Sequence, residues 1–421
     1  MRYLFVHQNF PGQFLHLVRH LLRAGGNEVV FIGEPNTNAI AGVRRVNYRL
    51  PRGATEQAHP NAREFDLAML RAEEVARVAE QVKGLGFTPD VIIGHHGWGE
   101  MLNLVDVWPG VPIIGYFEFY YDFLAGDIHF DPEFVFPPSQ LSLVRARNNI
   151  NHIALTNPGI GITPTRFQLN TYPDWARRKI TLLPEGVDLD RCRPAPAARR
   201  KPFRLGGFEV PVEAKLVTFV ARNLEPYRGF HSMMRALVPL LGARPDLRAI
   251  LVGGDDVSYG APPPSGTWRE TMLRELGDRI DPTRVHFAGQ ISYDLYLTML
   301  QRSDAHVYLS YPFVASWSLR EAMACGCAIV GSDTATVTEF LTHDQTGLVV
   351  DMLHPPAIAE AVLELLDNPR RARRLRAAAR AWAEENLRMD VYLAAFEQLI
   401  AQATGTAAPV APVVARGRRR G

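Results

Sequence analysis

Short apolar runs alternate with amphipathic stretches along almost the whole chain. Runs of three to six apolar residues, such as Tyr3-Leu4-Phe5-Val6, are typical of buried strands, whereas residues 62–83 have the spacing of a surface helix. This alternation predicts an α/β fold with parallel sheets. The predicted strands are 2–6, 27–33, 89–94, 111–116, 153–155, 161–163, 180–183, 216–220, 249–252, 285–289, 306–309 and 328–330. The predicted helices are 14–23, 62–83, 139–151, one that starts at 164, 294–302, 318–325, 355–366, 370–386 and 390–403.

Length and composition divide the chain and exclude several classes of function. A chain of 421 residues fits two domains of about 200 residues each. Residues 190–214 are rich in Pro, Arg and Ala and are predicted to form a linker or surface excursion. The net charge of +2 gives no reason to expect nucleic-acid binding.

The lack of recognisable targeting signals and of a disulfide framework favours a reduced cytoplasmic setting. No apolar run approaches the roughly 20 residues of a membrane span, and the polar-flanked N-terminus is unlike a signal peptide. Cys192, Cys325 and Cys327 form no disulfide framework, and their spacing does not fit a zinc site. The Arg-rich tail 404–421 is predicted to be disordered, with weak peripheral contact to anionic lipid as an alternative.

The junction between a loop and a helix near residue 317 carries the strongest candidate chemistry. A helix N-terminus presents backbone N–H groups that hold an anion such as phosphate, and Ser316, Trp317 and Ser318 lie at that point. Glu321 follows one turn later, and a carboxylate there can accept two hydrogen bonds from the hydroxyls of a ribose. The alternative is a first-turn acid favoured only by the helix dipole. The apolar, small surroundings favour the ligand role, because an unpaired buried carboxylate is costly.

This segment resembles the C-terminal signature of the family 4 (group 1) retaining glycosyltransferases, which have the GT-B fold. The family loop has a Glu, a Phe-Gly-Leu-like run, a second Glu eight positions after the first, and then Ala-Met-Ala-x-Gly. Glu321 matches the second Glu and precedes Ala-Met-Ala-Cys-Gly, but Phe313 stands where the first Glu is expected. Together with the N-terminal HQNFPGQF, the sequence YPFVASWSLREAMACGC indicates a subgroup. The missing acid calls into question any contact that the first Glu makes with the donor sugar.

The resemblance implies two Rossmann-like domains whose parallel sheets face a central cleft. The run Glu185-Gly186-Val187-Asp188 matches the end of the family's first domain. In this fold the last helix returns to pack on the first domain. The implied divisions are an acceptor-side domain at 1–188, a linker or excursion at 189–214, a donor-side domain at 215–388, a returning helix at 389–403 and a tail at 404–421.

Two arginines are candidates for binding the donor diphosphate. Arg222 and Arg228 lie six residues apart, after a strand and before a helix, and can converge on one pyrophosphate. The resemblance supports this role, since Arg222 matches the family Arg and Arg228 takes the place of its Lys. The alternative is a pair of solvated surface arginines.

Other donor contacts are predicted from the place of a residue at a strand end or in a segment that resembles the family. Gly253 and Gly254 form a tight loop at a strand end, where Asp255 and Asp256 fit a capped turn better than a magnesium site. Ile291 lies in a segment that resembles the one whose backbone contacts the base. The predicted donor-binding residues are Gly12, Gly253, Gly254, Ile291, Ser316, Trp317, Ser318, Leu319 and Glu321.

The first domain offers candidates for binding the acceptor. Gly12 lies in a loop between a strand and a helix, where a plain tight turn explains it as well, and the resemblance places this loop over the cleft. His95 and His96 follow a strand end, where ligands bind in open sheets; one of them is expected to be structural, and no third ligand supports a metal site. Glu118 lies among aromatic residues that should raise its pKa, so it suits acid–base chemistry or a sugar contact, with an ion pair to Arg145 or Arg147 as the alternative.

The resemblance implies a metal-independent retaining glycosyltransferase without a cofactor. It would move a sugar from a UDP- or GDP-linked donor to a carbohydrate, lipid-linked or small-molecule hydroxyl, in polysaccharide, glycolipid or glycoside synthesis. The predicted catalytic residues are Arg222, Arg228, Glu321 and Glu118, and the leaving phosphate would deprotonate the acceptor. A UDP-sugar epimerase on the same fold and a non-catalytic nucleotide-sugar-binding subunit are the alternatives.

Overall fold

The first apolar run forms the centre of a parallel sheet. The computed structural model describes residues 1–123 and 126–406. Within these residues the first sheet has seven strands in the order β3-β2-β1-β4-β5-β6-β7, and all neighbours are parallel. The strands are β1 (Arg2–Val6), β2 (Glu28–Gly33), β3 (Val43–Asn47), β4 (Val91–His95), β5 (Ile113–Tyr116), β6 (Ile160–Thr163) and β7 (Ile180–Leu182).

Helices cover both faces of this sheet. Residues 153–155, predicted as a strand, lie instead in α5, where Ala154 and Leu155 follow the buried Asn151 by three and four residues, the spacing of one helix face. The helices of the first half are α1 (Leu15–Arg23), α2 (Arg63–Gly84), α3 (Leu104–Val107), α4 (Leu141–Arg147), α5 (Asn149–Thr156), α6 (Arg166–Thr171) and α7 (Asp174–Arg177).

A second parallel sheet follows. The stretch predicted as a linker contains an antiparallel hairpin, β8 (Phe203–Leu205) and β9 (Phe208–Val210), whose buried side chains pack on the second half. In the described residues the second sheet has six parallel strands in the order β12-β11-β10-β13-β14-β15. They are β10 (Lys215–Asn223), β11 (Leu247–Gly254), β12 (Val285–Gly289), β13 (Ala305–Tyr308), β14 (Ile329–Ser332) and β15 (Leu348–Val350). The prediction of two parallel sheets is confirmed.

The last helix packs on the first sheet. Tyr392, Leu393, Phe396 and Ile400 share an apolar core with Phe5 and other residues of the first half. The helices of the second half are α8 (Phe230–Ala243), α9 (Trp268–Leu276), α10 (Tyr293–Arg302), α11 (Trp317–Ala324), α12 (Ala335–Thr338), α13 (Pro355–Asp367), α14 (Pro369–Asn386) and α15 (Met389–Ala403). Single 3-10 turns occur at Gly12–Phe14, Pro60–Ala62, Pro138–Gln140, Pro196–Arg200, Pro226–Arg228 and Gly277–Arg279.

Each sheet has one point where the strand order reverses, between β1 and β4 in the first and between β10 and β13 in the second. Ligands of open α/β sheets bind beyond the carboxyl ends of the strands at such points. His7 and His96 follow β1 and β4 directly, and Arg222 lies at the end of β10. The fold therefore places predicted site residues such as Arg222 near these reversal points.

A docking segment, residues 126–136, leaves the first half and packs on the second. Asp131 lies 2.9 Å from His231, and Arg235 pairs with Glu133. Ligand atoms of Asp131, Glu133 and His231 lie within 4.8 Å of one another, but Arg235 already neutralises Glu133, so the group is explained as a polar dock. The segment ties the two halves together beside the cleft.

In residues 1–123 and 126–406 no helix is long and apolar enough to cross a membrane. Most of the tail predicted to be disordered, residues 407–421 with its four arginines, lies outside the described residues.

Candidate active site

Two adjoining cavities lie in the cleft between the halves. The larger, of about 1090 Å³, lies between α1 and the starts of α10 and α11. The smaller, of about 350 Å³, extends toward the end of β5. Residues that line both are Val220, Ala221, Arg222, Ser316 and Trp317. Because the two cavities share these residues, they form one groove, which fits an extended ligand better than a compact one.

The tip of α11 lies at the junction of the two cavities. Ser316 is the N-cap, and its hydroxyl oxygen accepts from the backbone N–H of Ser318 at 3.3 Å. The N–H of Ser316 donates to the hydroxyl of Tyr308 at 2.8 Å, which fixes the entry to the helix. Leu319 was predicted to bind the donor, but its side chain is fully buried in the core, and its amide donates to Ser316. Ser316, Trp317 and Ser318, at the tip, line the groove, whereas Leu319 does not.

Arg228 is a buried cation that faces the smaller cavity. It is 5% exposed, donates to the hydroxyl of Ser310 and the carbonyl of Val314, both at 2.8 Å, and lies 5.0 Å from the ring centre of Tyr259. In residues 1–123 and 126–406 no carboxylate pairs with it. A buried charge without an ion-pair partner is costly, so this geometry suits an anionic ligand.

Arg222 adds a second positive charge at the same place. It is exposed at the end of β10 and lines both cavities. The carboxylate of Glu225 accepts backbone N–H groups of Ser258, Tyr259 and Gly260, which fixes the loop that carries the Tyr259 ring. The alternative of two solvated arginines does not hold for Arg228, because that residue is buried.

Glu321 faces the larger cavity. Its Oε1 accepts from the phenol of Tyr293 at 2.6 Å and its Oε2 from the phenol of Tyr296 at 2.8 Å. Burial raises its pKa, while the two phenols oppose that shift. The alternative of a first-turn acid is wrong, because α11 begins at Trp317 and its first turn contains no acid.

Glu118 lies at the inner end of the smaller cavity, where burial and then the negative charge of Glu185 raise its pKa to about 7. The ion pair considered as an alternative is not formed with Arg147, which pairs with Glu64 at 2.8 Å. Glu118 Oε2 lies 3.8 Å from Nε2 of His95. A carboxyl with this pKa can change its charge near neutral pH.

The two adjacent histidines are placed differently. His95 accepts the N–H of Gly97 at its Nδ1, stacks on Tyr116 at 5.3 Å and lies beside Glu118. His96, also predicted to contact the acceptor, packs on Phe117 at 4.7 Å in a separate small cavity behind the sheet end. Successive side chains on an extended chain point to opposite sides, so only His95 lies near the groove.

The glycines predicted to bind the donor lie where the chain packs too closely for a Cβ. Gly12 has a φ of +54°, and a Cβ there would lie 2.9 Å from the ring of His7. A Cβ at Gly253 would lie 2.9 Å from Leu224, and one at Gly254 would lie 2.5 Å from Asn223. Gly253, Gly254 and Ile291 are absent from the described lining of both cavities. The two glycines end β11, which pairs with the strand that carries Arg222, and Ile291 packs against the core of the second half.

Phe313 stands where the family signature predicts an acid, and its ring is buried in an aromatic cluster. It lies 4.6 Å from Phe119 of the first half and 5.1 and 5.7 Å from Tyr259 and Tyr227 of the second, measured between ring centres. The side chain therefore joins the halves through apolar contact.

Several residues at the site escaped sequence reasoning. Glu185 Oε2 accepts from Arg320 at 2.6 Å and from the indole N–H of Trp317 at 2.8 Å, so this carboxylate joins the halves at the groove. Tyr293 and Tyr296 bind Glu321. The run Glu185-Gly186-Val187-Asp188 and the pair of tyrosines three residues apart were visible, but their partners lie far away in sequence.

Comparison with known families agrees with this geometry. Residues 25–192 match the model described as glycosyl transferase family 4 group, and residues 207–382 match glycosyl transferases group 1. The two matches support a group 1 glycosyltransferase of the GT-B fold. Each match lies on one of the two sheets and together they span the groove.

Curated relatives match about half of the chain. A GDP-mannose-dependent alpha-(1-6)-phosphatidylinositol monomannoside mannosyltransferase of Mycobacterium tuberculosis is 31% identical over 229 residues, which cover 50% of this chain and 53% of the relative. A D-inositol 3-phosphate glycosyltransferase of Thermobispora bispora is 29% identical over 231 residues, with 52% of each chain covered. The chain thus spans about half the length of these relatives.

Solved structures match along nearly the whole chain. Sucrose-phosphate synthase from Thermosynechococcus elongatus has a TM-score of 0.73 at 18% identity and covers 97% of this chain and 100% of its own. Anabaena HepE, solved with UDP and glucose, has a TM-score of 0.65 at 16% identity, with 96% and 100% covered. The predicted GT-B fold is confirmed.

Proposed function

We propose that the chain transfers a sugar from a nucleotide-diphosphate donor to a hydroxyl acceptor, with retention of the anomeric configuration. One observation carries this proposal, namely the buried Arg228, which has no ion-pair partner among the described residues, beside Arg222 and the tip of α11. Such a site suits a diphosphate. The names of the relatives, which include a GDP-mannose-dependent mannosyltransferase and an inositol-phosphate glycosyltransferase, support a nucleotide-sugar donor.

The donor would lie along both cavities. Its nucleoside would occupy the larger cavity with the ribose at Glu321, and its diphosphate would lie at Arg222, Arg228 and the tip of α11. Negative charge grows on the leaving diphosphate as the glycosidic bond breaks, and two fixed cations and a helix dipole stabilise that charge. The arginines can thus do the work of a divalent cation, so we propose a reaction without metal or cofactor.

The acceptor would enter the smaller cavity beside Glu118. Its hydroxyl would attack from the face that the diphosphate leaves, and a diphosphate oxygen would take its proton, so that the configuration is retained. Glu118 as a carboxylate would accept a hydrogen bond from the acceptor and orient it. His95, held by Gly97 and Tyr116, would support Glu118 from behind. We expect a carbohydrate, lipid-linked or small polar acceptor.

The direct test incubates the purified chain with UDP- and GDP-linked hexoses and a panel of hydroxyl acceptors that includes inositol phosphates. We expect nucleoside diphosphate release that depends on an acceptor, a product with the donor's anomeric configuration by NMR, and no loss of rate in EDTA. Arg222→Ala should lower kcat by about 10²–10³, because the leaving charge loses a stabilising group. Arg204→Ala, at an exposed pair with Glu209, is the matched control and should leave kcat unchanged.

Phe313 favours a second candidate function, that of a subunit which binds a nucleotide-sugar without turnover. The aromatic cluster occupies the place of an acid that the family signature carries. Tight nucleotide binding without transfer to any acceptor in the panel would favour that candidate. Conversion of the UDP-sugar alone into an epimer would instead favour an epimerase.

A further inference from the structure

The start of α10 presents two phenols to one carboxylate. Tyr293 and Tyr296 lie three residues apart and therefore on the same face of the helix. Tyr293 donates to Oε1 of Glu321 at 2.6 Å and Tyr296 donates to Oε2 at 2.8 Å. All three side chains line the larger cavity. Each oxygen of Glu321 thus has its own phenol.

A ribose would need the same oxygens. A carboxylate offers about four acceptor positions, two on each oxygen, and the phenols hold two of them. The cavity is bounded by the same phenols, so a hydroxyl approaching Glu321 from the cavity meets at least one of them. A phenol that can move away can be replaced by a sugar hydroxyl, whereas a phenol that cannot move stays bound to Glu321.

The surroundings of the two phenols are unequal. Tyr296 is 7% exposed and packs in the core with Leu319 and other apolar residues. Tyr293 is 39% exposed, and its ring centre lies 5.8 Å from that of Tyr296. The guanidinium of Arg191 lies 4.6 Å from its ring centre, and Sγ of Cys192 lies 3.3 Å from its hydroxyl. Rotation of Tyr293 toward solvent gives up little packing, whereas Tyr296 cannot leave without opening the core.

We propose that Tyr293 competes with a ribose hydroxyl for Oε1 of Glu321, and that Tyr296 is a positioning residue that keeps the carboxylate aimed into the cavity. The inference rests on the proposed function, because it assumes a nucleotide in the larger cavity. Tyr293 thereby sets the affinity for the nucleotide, because a ribose hydroxyl that takes its position on Oε1 must displace its phenol. Release of the spent nucleotide is aided when the phenol returns.

The test measures binding of UDP and GDP by calorimetry to the wild type, Tyr293→Phe and Tyr296→Phe. Tyr293→Phe should bind the preferred ribonucleotide about tenfold more tightly, because a competing hydrogen bond to a charged group is gone. Tyr296→Phe should bind it about tenfold more weakly. The 2′-deoxy and 3′-deoxy analogues of the same nucleotide complete the set. With the analogue that lacks the competing hydroxyl, the gain in Tyr293→Phe should vanish.

Tyr48→Phe is the matched control, since it removes a phenol-to-carboxylate bond of 2.9 Å to Glu100 outside the groove. It should leave nucleotide affinity unchanged. Equal weakening in Tyr293→Phe and Tyr296→Phe, or a gain that persists with both deoxy analogues, would overturn the competition while leaving the nucleotide site in place. Failure of the wild type to bind either nucleotide would overturn the proposed function and this inference with it.

Discussion

Burial gives the charged residues of the groove their chemical character. Arg228 is buried with only neutral hydrogen-bond partners, so its charge remains available to an anion. Glu118 is a carboxyl whose pKa is raised to about 7, first by burial and then by Glu185. One residue thus supplies fixed charge, and the other a charge that changes near neutral pH.

The charge of Glu118 predicts a pH dependence. Below pH 7 the side chain is mostly the neutral acid, and above it the carboxylate that accepts a hydrogen bond from the acceptor. We therefore expect kcat/KM to rise through about pH 7. Glu118→Gln should lower the plateau about tenfold or more and remove this limb. A pH–rate profile of both proteins checks this, and a limb that persists in Glu118→Gln would assign it to another group.

The site residues that could be predicted are those whose neighbours in sequence already indicate their role. Arg222 lies at the end of a strand, Arg228 lies in the turn that follows it, and Glu321 lies one turn into a helix, so each setting can be read from a single segment. Glu185 and Tyr293 were missed as site residues because their partners, Arg320 and Glu321, lie in other segments. One histidine of the pair was expected to be structural, and His96 has that position, since one strand end sends neighbouring side chains to opposite sides.

At the scale of elements, loops at strand ends place the site. Most helices and most strands were predictable because their apolar spacing is local, but α9 (Trp268–Leu276) was not predicted. The edge strand β3 (Val43–Asn47) was missed, because it is only partly buried and has the sequence VRRVN. Residues 153–155 were misread, because three apolar residues fit a short strand as well as a buried helix face.

The turn at Gly12 offers a test at this scale. Its φ of +54° and the close ring of His7 both exclude a Cβ. Gly12→Ala should lower the free energy of unfolding by about 1–3 kcal/mol and raise KM for the donor or acceptor, because the loop beside Gln13 must shift. Thermal unfolding and steady-state kinetics measure both effects.

Gly26→Ala is the matched control for this substitution. Gly26 also has a positive φ, +69°, but no atom lies within 4 Å of a Cβ there. It shares the backbone strain without the clash and lies outside the groove, so KM should not change. An equal change of KM in both variants would show that the Gly12 turn does not shape the groove.

At the scale of the molecule, the groove exists because several contacts hold the halves together. The Glu185–Arg320 ion pair, the Phe313 cluster and the docking segment all cross from one half to the other. The two-domain division and the position of the groove at the strand ends follow from length and βα order. The contacts between the halves do not follow from these features, because each depends on residues 100 or more positions apart.

The central claim is that a diphosphate lies between Arg222, Arg228 and the tip of α11. A crystal structure of the chain with UDP or GDP tests it most directly. We predict phosphate oxygens within hydrogen-bond distance of both arginines and of the tip of α11, and the ribose on Glu321 with the Tyr293 phenol displaced. A nucleotide bound elsewhere, or no binding of either nucleotide, would contradict the proposed site.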